Sequence, residues 1–420
     1  MSESSAQRHP IPSRQTYVFR GTGNAMRLTT LRGHSMKIVH LCLSNFFIDD
    51  YSYQENMLPK YHALQGHEVT VIASLVSFDS NGKPCLLDAE STKITKDGFK
   101  VIRVDYKKPF YRLNRFIRSY KGLASLLANE KPDLIFVHDF SFMDISKVIA
   151  YAEQNKQVKI YVDCHTDYIN SARTWLSKNV FHHIIWRYYA KLLAPFVDKF
   201  YGVTPLRCDF LRDAYAIDPK KIELLVMGVD DEVLKDKHRA SIRPERCQAL
   251  GIDESDLIVT TGGKIDAQKN IHLVMQAMAK LGRPDVKLIV FGTVAPEMQE
   301  LFDSLLRTDS VIYVGWLNSD EILDYFILSD LVVFPGTHSV LWEQAVGVGT
   351  PCIFKYWQGI THVDVGGNCE FLYDDDADEI ARIINDVLFE KEKYRGMKKI
   401  AMEQGLKKFS YSDIARAAIA

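Results

Sequence analysis

The chain has 420 residues, of which 47% are hydrophobic, 25% charged and 11% aromatic. This composition supplies ample core material and excludes a disordered, collagen-like or coiled-coil chain. The 52 Lys and Arg residues nearly balance the 53 Asp and Glu residues, giving a net charge of −1. We therefore expect no nucleic acid partner, and any attraction to a charged surface has to be local. The length predicts two domains of about 150–200 residues each.

The seven cysteines are odd in number, and none is spaced as a CxxC pair. This pattern predicts neither a disulfide framework nor a structural zinc site, and it favours a reducing, cytoplasmic compartment. The sequence contains no run of 18 apolar residues that would predict a membrane span. Residues 1–35 contain no apolar signal core, so we expect a disordered tail and regard Met36 as a candidate start.

Short apolar runs alternate with helical stretches from residue 36 almost to the end. In the first half the predicted strands are Lys37–Cys42, Val69–Ala73, Val101–Val104, Leu134–Val137, Lys159–Val162, Phe200–Val203 and Leu224–Val226. In the second half they are Leu257–Thr260, Val286–Phe291, Val311–Val314, Leu331–Phe334 and Pro351–Phe354. Because these runs are continuous rather than alternating, they favour parallel strands covered by helices on both faces. The expected fold class is α/β, with two doubly wound parallel-sheet (Rossmann-like) domains facing a cleft.

A polar, charge-dense stretch at residues 231–254 separates the two sets of strands. We expect one domain at residues 36–240, a second at residues 241–400, and a last helix at residues 401–420 that returns to the first domain. In such sheets ligands bind beyond the carboxyl ends of the strands, and a cleft between two domains is a favoured place for a site. The loops that follow the strands are therefore the place to look for chemistry.

Two glycines and two lysines follow the first predicted strand of the second half. Gly262 and Gly263 permit a close backbone turn, and Lys264 and Lys269 put two cations on the same loop. Such a loop can hold a diphosphate, with each ammonium group acting as a point charge on a phosphate. The spacing is not that of an ATPase P-loop, and a solvated loop with two surface lysines is the alternative interpretation.

A small-residue turn precedes a helix predicted at residues 340–348. Ser339 is the expected N-cap, and the N–H groups of Val340 and Leu341 would offer positive potential to an anion. Glu343 lies in the first turn, where its carboxylate can accept hydrogen bonds from a ribose diol. Alternatively, Glu343 only stabilises the helix dipole, by about 0.3–1 kcal/mol.

These segments, in this order, resemble GT-B glycosyltransferases, in particular the retaining glycosyltransferase family 4. In the second half the resemblance rests on Lys264, Lys269, Gly315-Trp316-Leu317, Glu343 and Gly349-Thr350-Pro351-Cys352-Ile353. Elsewhere it rests on Gly66-His67-Glu68-Val69-Thr70-Val71-Ile72, Asp163-Cys164-His165-Thr166-Asp167, Met227-Gly228-Val229-Asp230 and Phe409-Ser410-Tyr411. The resemblance spans about residues 36–420.

The resemblance implies transfer of a sugar from a nucleoside-diphosphate sugar to a glycan or lipid-linked acceptor, with retention, in cell-envelope polysaccharide biosynthesis. It makes residues 36–240 the acceptor-side domain and residues 241–400 the nucleotide-sugar-binding domain. The residues expected to act in catalysis are His165, Lys264 and Lys269. Those expected to bind the donor are Gly263, Trp316, Leu317, His338, Ser339, Val340 and Glu343. His138 and Asp139 are expected on the acceptor side, and no metal or other cofactor is expected.

Two departures from the family pattern leave alternatives open. Pro335 stands where the family has a first Glu, for which Thr337 or His338 could substitute. The segment Asp49–Asn56 replaces a Gly-Gly pair and implies an altered acceptor-side loop. The alternative functions are a catalytically silent GT-B protein that binds nucleotide sugar beside a partner transferase, and a GT-B sugar-nucleotide epimerase.

Three further segments complete the sequence interpretation. The run Asp374-Asp375-Asp376 is expected to form a solvated turn and an N-cap rather than a metal site. Tyr106–Lys121 combines six cations and five aromatic residues without an acid, which favours contact with an anionic membrane at its inner face. Trp175–Phe200 is also rich in aromatic residues and is expected to be a buried helix covering the sheet.

Overall fold

The computed structural model describes residues 35–44, 46–79, 84–172 and 174–420. Residues 35–420 form one compact unit, and the rest of the predicted N-terminal tail lies outside the described residues. The strands are β1 (Lys37–Cys42), β2 (Glu68–Ser74), β3 (Val76–Phe78), β4 (Pro84–Leu86), β5 (Ser91–Ile94), β6 (Lys100–Val104), β7 (Leu134–His138), β8 (Lys159–Cys164), β9 (Lys199–Gly202), β10 (Ile222–Leu224), β11 (Leu257–Gly262), β12 (Val286–Phe291), β13 (Val311–Tyr313), β14 (Leu331–Phe334), β15 (Cys352–Lys355) and β16 (Cys369–Leu372).

The helices alternate with these strands along most of the chain. They are α1 (Gln54–Leu64), α2 (Tyr111–Phe116), α3 (Leu123–Glu130), α4 (Ile145–Gln154), α5 (Arg187–Leu193), α6 (Pro205–Asp213), α7 (Asp231–Leu234), α8 (Arg239–Leu250), α9 (Ile271–Leu281), α10 (Gln299–Leu305), α11 (Ser319–Leu328), α12 (Leu341–Gly347), α13 (Ala377–Phe389), α14 (Lys391–Phe409) and α15 (Tyr411–Ala418). A π-helix covers Ser177–Trp186, and short 3-10 turns cover Ala194–Phe196, Pro219–Lys221 and Pro296–Met298.

The first half is built on an eight-stranded sheet in the order β10-β9-β8-β7-β1-β2-β6-β5. Every neighbouring pair is parallel except β5 with β6. The central strands β1, β2, β7 and β8 are buried along almost their whole length because helices cover both faces. This arrangement confirms the predicted parallel α/β architecture of the first half.

The second half has a six-stranded, fully parallel sheet in the order β13-β12-β11-β14-β15-β16. The strand order reverses between β11 and β14, and the crevice beyond their carboxyl ends is where ligands bind in sheets of this kind. The predicted bounds of Val286–Phe291 and Leu331–Phe334 are those of β12 and β14. Both loops singled out in the sequence follow the two strands at the reversal.

The chain returns to the first half at its C-terminus. The Gln65 side chain donates to the carbonyl oxygen of Ser412 at 2.9 Å, and the Tyr201 hydroxyl donates to that of Ala418 at 3.2 Å. The long helix α14 packs against α12 and α13 of the second half and ends at Phe409. The short helix α15 that follows therefore lies against α1 and joins the two halves.

The aromatic stretch Trp175–Phe200 differs from the expected buried helix. Its first part is a π-helix, and the preceding Trp175 side chain is 75% exposed. Ile184 and Tyr188 are exposed as well, whereas Ala190 and Leu193 are buried against the sheet. The expectation was wrong for the first part because most of the π-helix is partly exposed, with His182 its buried member, and the last turns of the segment face the core.

Candidate active site

Glycines stack the loops that follow β11, β12 and β13. Gly263 adopts a φ of 113°, and its N–H donates to the Phe291 carbonyl at 3.1 Å. Gly292 adopts a φ of 122° and donates to the Gly315 carbonyl at 2.7 Å. A Cβ at Gly292 would lie 1.8 Å from the carbonyl oxygen of Gly263, so no other residue fits there. This close packing fixes the lysine loop at the carboxyl edge of the second sheet.

Lys269 joins the two loops that the sequence predicts separately. Its ammonium group donates to the carbonyl oxygens of Thr337 at 2.6 Å and His338 at 3.2 Å. Gly336 lies directly against the backbone of Lys269, where a Cβ would approach within 2.5 Å. Burial lowers the pKa of Lys269 to about 8. The ammonium group is therefore held at the crevice by neutral carbonyls rather than by a carboxylate.

Lys264 differs from Lys269 in its exposure. Its side chain is 70% exposed, with the ammonium group 3.2 Å from a carboxylate oxygen of Asp266. Burial is the main cause that lowers the pKa of Lys269, the charges of Arg207 and Lys264 lower it further, and Asp266 opposes them. The two ammonium groups are thus electrostatic neighbours, and the exposed Lys264 would have to leave Asp266 to turn toward a ligand.

Arg207 is a third cation at this place, and the sequence analysis missed it. It lies in the first turn of α6, and the guanidinium donates through Nε to Asp167 at 3.0 Å. Burial is the main cause that lowers the pKa values of Lys269 and His338, and the charge of Arg207 lowers them further, whereas Asp266 and Glu343 respectively act in the opposite direction. The charge of Arg207 also lowers the pKa of His165, although other groups outweigh this effect. This buried guanidinium therefore faces groups from both halves.

The contact that brings α6 to the second half is a backbone hydrogen bond. The N–H of Leu206 donates to the carbonyl oxygen of Gly359 at 2.8 Å, and a Cβ on Gly359 would press on Leu206. Arg207 follows Leu206 directly, so its place beside the lysines depends on this contact. In the sequence only a basic residue just after a strand end hinted at such a role.

Glu343 is completely buried, in the first turn of α12 as predicted. Its Oε1 accepts hydrogen bonds from Nε2 of His338 at 2.8 Å and Nε2 of His362 at 2.7 Å. Burial alone would raise the pKa of Glu343, but these two imidazoles hold it well below its usual range. Burial lowers the pKa of His338 to about 4. Among the described residues, Oε2 of Glu343 has no hydrogen-bond partner.

The predicted cap of this helix is wrong by one residue. Val340, not Ser339, occupies the N-cap position, and no side chain caps the helix. The carbonyls of Thr337 and His338 face Lys269, and the carbonyl of Ser339 accepts the N–H of Trp342 at 3.0 Å. Ser339 therefore belongs to the preceding turn, which the lysine shapes.

His165 follows β8 and reaches the cleft, with its side chain 18% exposed. Its Nε2 lies 3.4 Å from Oδ2 of Asp163 and 3.9 Å from Oε1 of Glu55. Burial would lower the pKa of His165, but the two carboxylates raise it to about 9. The ring is therefore cationic at neutral pH.

His138 and Asp139, expected on the acceptor side, are both buried. His138 contacts Asp163 and His40 through its two ring nitrogens, at 2.8 and 3.0 Å. Asp139 accepts hydrogen bonds from the hydroxyls of Ser141 and Thr166, both at 2.7 Å. A direct acceptor contact by either residue remains a prediction. Trp316, expected to bind the donor, is half exposed just beyond β13, and Leu317, also expected to bind it, is buried beside it.

Two groups of side chains in the described part of the chain have a spacing that a metal ion could use. They are Glu55, His138 and His165, and His338, Glu343 and His362. Both ring nitrogens of His138 are engaged by protein groups, and both Nε2 atoms of the second group already point at one carboxylate oxygen. Hydrogen bonding therefore accounts for both arrangements. Asp376 caps α13 by accepting the N–H of Asp378, as the sequence predicts.

A polar cavity of about 280 Å³ lies between the two halves. Its walls include Asp49, Tyr51, Ser52, Lys60, Asp320 and Gln344. The Gln344 side chain donates to the Ser52 hydroxyl at 2.9 Å, which closes one wall across the cleft. The loop that replaces a Gly-Gly pair thus contributes directly to this cavity.

The family comparison agrees with this geometry. Residues 56–233 match the family described as Glycosyltransferase Family 4, and residues 242–404 match the Glycosyl transferases group 1. The chain belongs to the glycosyltransferases of family 4 and group 1. Together the two matches cover the second sheet, the first sheet apart from β1, and both loops around Lys269 of this glycosyltransferase.

Individual relatives of the glycosyltransferase match only in part. An uncharacterized glycosyltransferase of Methanocaldococcus jannaschii is 24% identical over 185 residues, 41% of this chain and 46% of that protein. An N-acetylgalactosamine-N,N'-diacetylbacillosaminyl-diphospho-undecaprenol 4-alpha-N-acetylgalactosaminyltransferase of Campylobacter jejuni is 27% identical over 173 residues, 40% of this chain and 44% of that protein. The chain thus spans less than half the length of these curated relatives.

Anabaena HepE, solved in complex with UDP and glucose, shares the fold of the glycosyltransferase. The TM-score is 0.65 at 16% identity, and the alignment covers 91% of this chain and 98% of that one. The two-sheet GT-B architecture therefore extends over nearly the whole described chain. No helix among the described residues is long and apolar enough to cross a membrane.

Proposed function

We propose that the protein transfers a sugar, with retention, from a nucleoside-diphosphate sugar to a glycan or lipid-linked acceptor in cell-envelope polysaccharide biosynthesis. The observation that carries the proposal is the convergence of Arg207, Lys264 and Lys269 at the crevice between the halves. Three cations, of which Arg207 is paired with Asp167 and Lys264 with Asp266, lie beside two neutral carbonyls and form a candidate site for an anion. A diphosphate is the anion that we propose for it.

The other predicted donor contacts fit around this diphosphate. Gly263 would bring its backbone close to the phosphates, and Trp316 and Leu317 would contact the base. Glu343 would offer Oε2, its free carboxylate oxygen, to the ribose. His338 clamps that carboxylate, while Ser339 and Val340 form the turn between the lysine and the helix.

The chemistry proposed is a displacement on one face of the sugar. The bond from the anomeric carbon to the diphosphate oxygen breaks, and a bond to the acceptor hydroxyl oxygen forms. The departing phosphate oxygen takes the hydroxyl proton. Lys264, Lys269 and Arg207 would stabilise the charge that develops on the leaving group, and His165 would place its cation beside the sugar. These cations make a metal ion unnecessary in the proposal.

The acceptor is proposed to enter the cavity of about 280 Å³. Its walls carry carboxylates, lysines and amide groups, which suit the hydroxyls of a glycan. The name of the Campylobacter relative describes a transferase that acts on a diphospho-undecaprenol-linked substrate, which supports the lipid-linked form of this proposal.

Peripheral membrane contact is proposed for the segment Tyr106–Lys121 together with the neighbouring π-helix. Phe110 just before α2 is exposed, as are Leu113 and Phe116 on it, and so are Trp175 just before the π-helix and Ile184 within it. Met143 links the two regions: its N–H donates to the Ile117 carbonyl, and its sulfur accepts from the hydroxyl of Tyr189 in α5, the helix that follows the π-helix. Aromatic side chains flanked by arginines are suited to the headgroup region of an anionic leaflet.

A transfer assay tests the function. Purified protein is incubated with a panel of nucleotide sugars and undecaprenyl-diphosphate-linked glycans, and products are identified by mass spectrometry. Lys269→Ala should reduce transfer at least about 100-fold, while Lys280→Ala, an exposed lysine paired with Asp378, should not. An unchanged rate in Lys269→Ala would contradict the proposal. A new sugar nucleotide formed without acceptor would favour the epimerase, and nucleotide-sugar binding without transfer would favour the silent binding protein.

A further inference from the structure

Three buried histidines run inward from Asp163, on the side away from the cleft. Oδ2 of Asp163 lies 2.8 Å from Nδ1 of His138, and Nε2 of His138 lies 3.0 Å from Nδ1 of His40. Nε2 of His40 then lies 3.0 Å from Nδ1 of His62, whose Nε2 lies 2.9 Å from the carbonyl oxygen of Ala415. All three rings are inaccessible to solvent. We call His138, His40 and His62 the histidine array.

The number of hydrogen bonds fixes the number of protons in the array. Four contacts in series require four protons, whereas three neutral imidazoles carry only three. Both ends are oxygen atoms, and the Ala415 carbonyl can only accept. The array and Asp163 together therefore hold one proton more than an ionised carboxylate with three neutral rings. Their summed charge is zero.

The carbonyl end also fixes where each proton lies. His62 has to donate through Nε2, so its Nδ1 accepts from His40, and Nδ1 of His40 accepts from His138. The extra proton then belongs to the contact between His138 and Asp163. Burial lowers the pKa values of His40 and His62, the latter to about 3, which keeps both rings neutral. Burial opposes ionisation of Asp163, but His138 and His165 bring its pKa below the usual range.

The array is enclosed at its inner end, and its outer end is connected through Asp163 to His165 at the cleft. The Phe136 ring lies against His40 and His138, and the array ends at a helix carbonyl. Gln54 donates to Oδ2 of Asp163 at 3.3 Å. The titratable groups that face the array and Asp163 are His165, Glu55, Cys42, Tyr411 and His67. Because its inner end is a carbonyl oxygen, which can only accept a hydrogen bond, the array offers no route for a proton through to its other side.

We propose that His138, His40 and His62 are positioning residues, which hold Asp163 ionised and fixed in orientation behind His165 and tie that carboxylate to α15. The catalytic consequence rests on the proposed function, because His165 acts there beside the sugar. The protonation pattern itself does not depend on it. The two parts are therefore measured separately.

The protonation pattern is read by nitrogen-15 NMR of the full chain with labelled histidine at pH 7.5, without substrate. His40 and His62 should each carry one proton, on Nε2, and His138 should carry protons on both nitrogens. Neutral rings at all three positions, or a proton on Nδ1 of His62, would overturn the proposal.

A pair of variants tests the role of the array. In His62→Gln the amide can still donate to Ala415 and accept from His40, so the proton pattern and kcat should stay within about threefold of wild type. In His62→Leu the Nε2–H of His40 loses its acceptor, so His40 should switch its proton to Nδ1 and His138 should lose one proton. We expect kcat to fall at least about tenfold in that variant, with KM for the donor unchanged.

The exposed His238→Gln serves as control and should leave both readouts unchanged. If His62→Leu switches the tautomer but keeps its kcat, the positioning role is contradicted. If His62→Leu does not fold, wild type and His62→Gln still decide the proton pattern. If wild type transfers no sugar in any assay, the proposed function fails, and the NMR pattern stands or falls on its own.

Discussion

Lys269 and Thr337 are joined by a hydrogen bond of 2.6 Å from the ammonium group to the backbone carbonyl. The bond links the loops that follow β11 and β14, the two strands between which the order of the second sheet reverses. The lysine is therefore held where an anionic ligand would bind, by neutral groups that a diphosphate can replace. Several measurable consequences depend on this relationship.

Binding of a diphosphate is expected to take up a proton above pH 8. The pKa of Lys269 is lowered to about 8 by burial, so free protein at pH 8.5 has mostly lost this charge. A bound anion raises that pKa again, so Lys269 should take up about 0.7 proton on binding at pH 8.5. At pH 6.5 it is already protonated and should take up almost none. Titration calorimetry with UDP in buffers of different ionisation enthalpy measures the uptake. An equal uptake in Lys269→Met would contradict the assignment.

Loss of the Glu343 carboxylate is expected to destabilise the fold. In Glu343→Ala the buried Nε2–H groups of His338 and His362 lose their shared acceptor, at about 1–3 kcal/mol for each group left unpaired. Urea unfolding followed by circular dichroism should give a free energy of unfolding lower by about 2–4 kcal/mol. The exposed Glu300→Ala should remain within about 0.5 kcal/mol of wild type. If Glu343→Ala lowered the free energy of unfolding as little as Glu300→Ala does, the hydrogen bonds from His338 and His362 to Glu343 would not stabilise the fold.

Acid is expected to weaken the protein through His338. Its pKa is lowered to about 4 in the folded chain, so between pH 6.5 and 4 the unfolded chain binds the extra proton. Stability is then complete above about pH 6.5 and falls as the pH decreases, by up to about 1.4 kcal/mol per pH unit for this group. The slope is measured by urea unfolding at several pH values. In a His338→Gln variant, the slope of the free energy of unfolding against pH should correspond to about one bound proton fewer. An unchanged slope would show that His338 is not the cause of the acid sensitivity.

Two glycines on α14 should respond in opposite ways to alanine. A Cβ on Gly405 would lie 2.0 Å from the carbonyl oxygen of Val346, whereas one on Gly396 meets nothing within 4 Å. Gly405→Ala should therefore destabilise by about 2 kcal/mol or more, because α14 has to move away from α12. Gly396→Ala should stabilise by about 0.5–1 kcal/mol through helix propensity. Similar effects of the two substitutions would show that α12 and α14 are not packed this closely.

Binding to anionic vesicles should depend on α2 but not on every cation of its segment. Lys107 is already paired with Asp144 at 2.6 Å, so the exposed Lys108, Arg112 and Arg115 are the ones to test. Replacing these three with Gln should weaken co-sedimentation with phosphatidylserine vesicles about 100-fold, at about 1 kcal/mol each. The control variant replaces Arg307, Lys399 and Lys407, which are exposed in the second half. Equal losses in both variants, or none in the first, would reject the surface.

The sequence was most informative where strands are buried on both faces. Apolar runs such as Val286–Phe291 can be recognised because helices cover both sides of the sheet. All four residues of β5 are exposed, so that strand carries no apolar signal and was missed. The departure at the helix cap arose from contacts with the distant Lys269, and that in Trp175–Phe200 arose because no other described part of the fold covers its exposed aromatic residues.

The residues of the candidate site also fall into those that the sequence could indicate and those that only the fold brings together. Lys264, Lys269 and Glu343 follow strand ends within one half, so their order along the chain indicates their proximity. Arg207 and His362 join them through contacts between distant segments, and no local spacing marks either residue. The buried histidines of β1, α1 and β7 were hidden for the same reason, since only the fold aligns them with Asp163.

The central claim is that one diphosphate is held by the cations at the crevice. The most direct measurement is a crystal structure of the protein soaked with UDP. We expect both phosphates within hydrogen-bond distance of Lys264 and Lys269, with Arg207 facing the same anion and the Thr337 carbonyl released from the lysine. Phosphates bound away from these three side chains, with the bond from Lys269 to Thr337 intact, would contradict it.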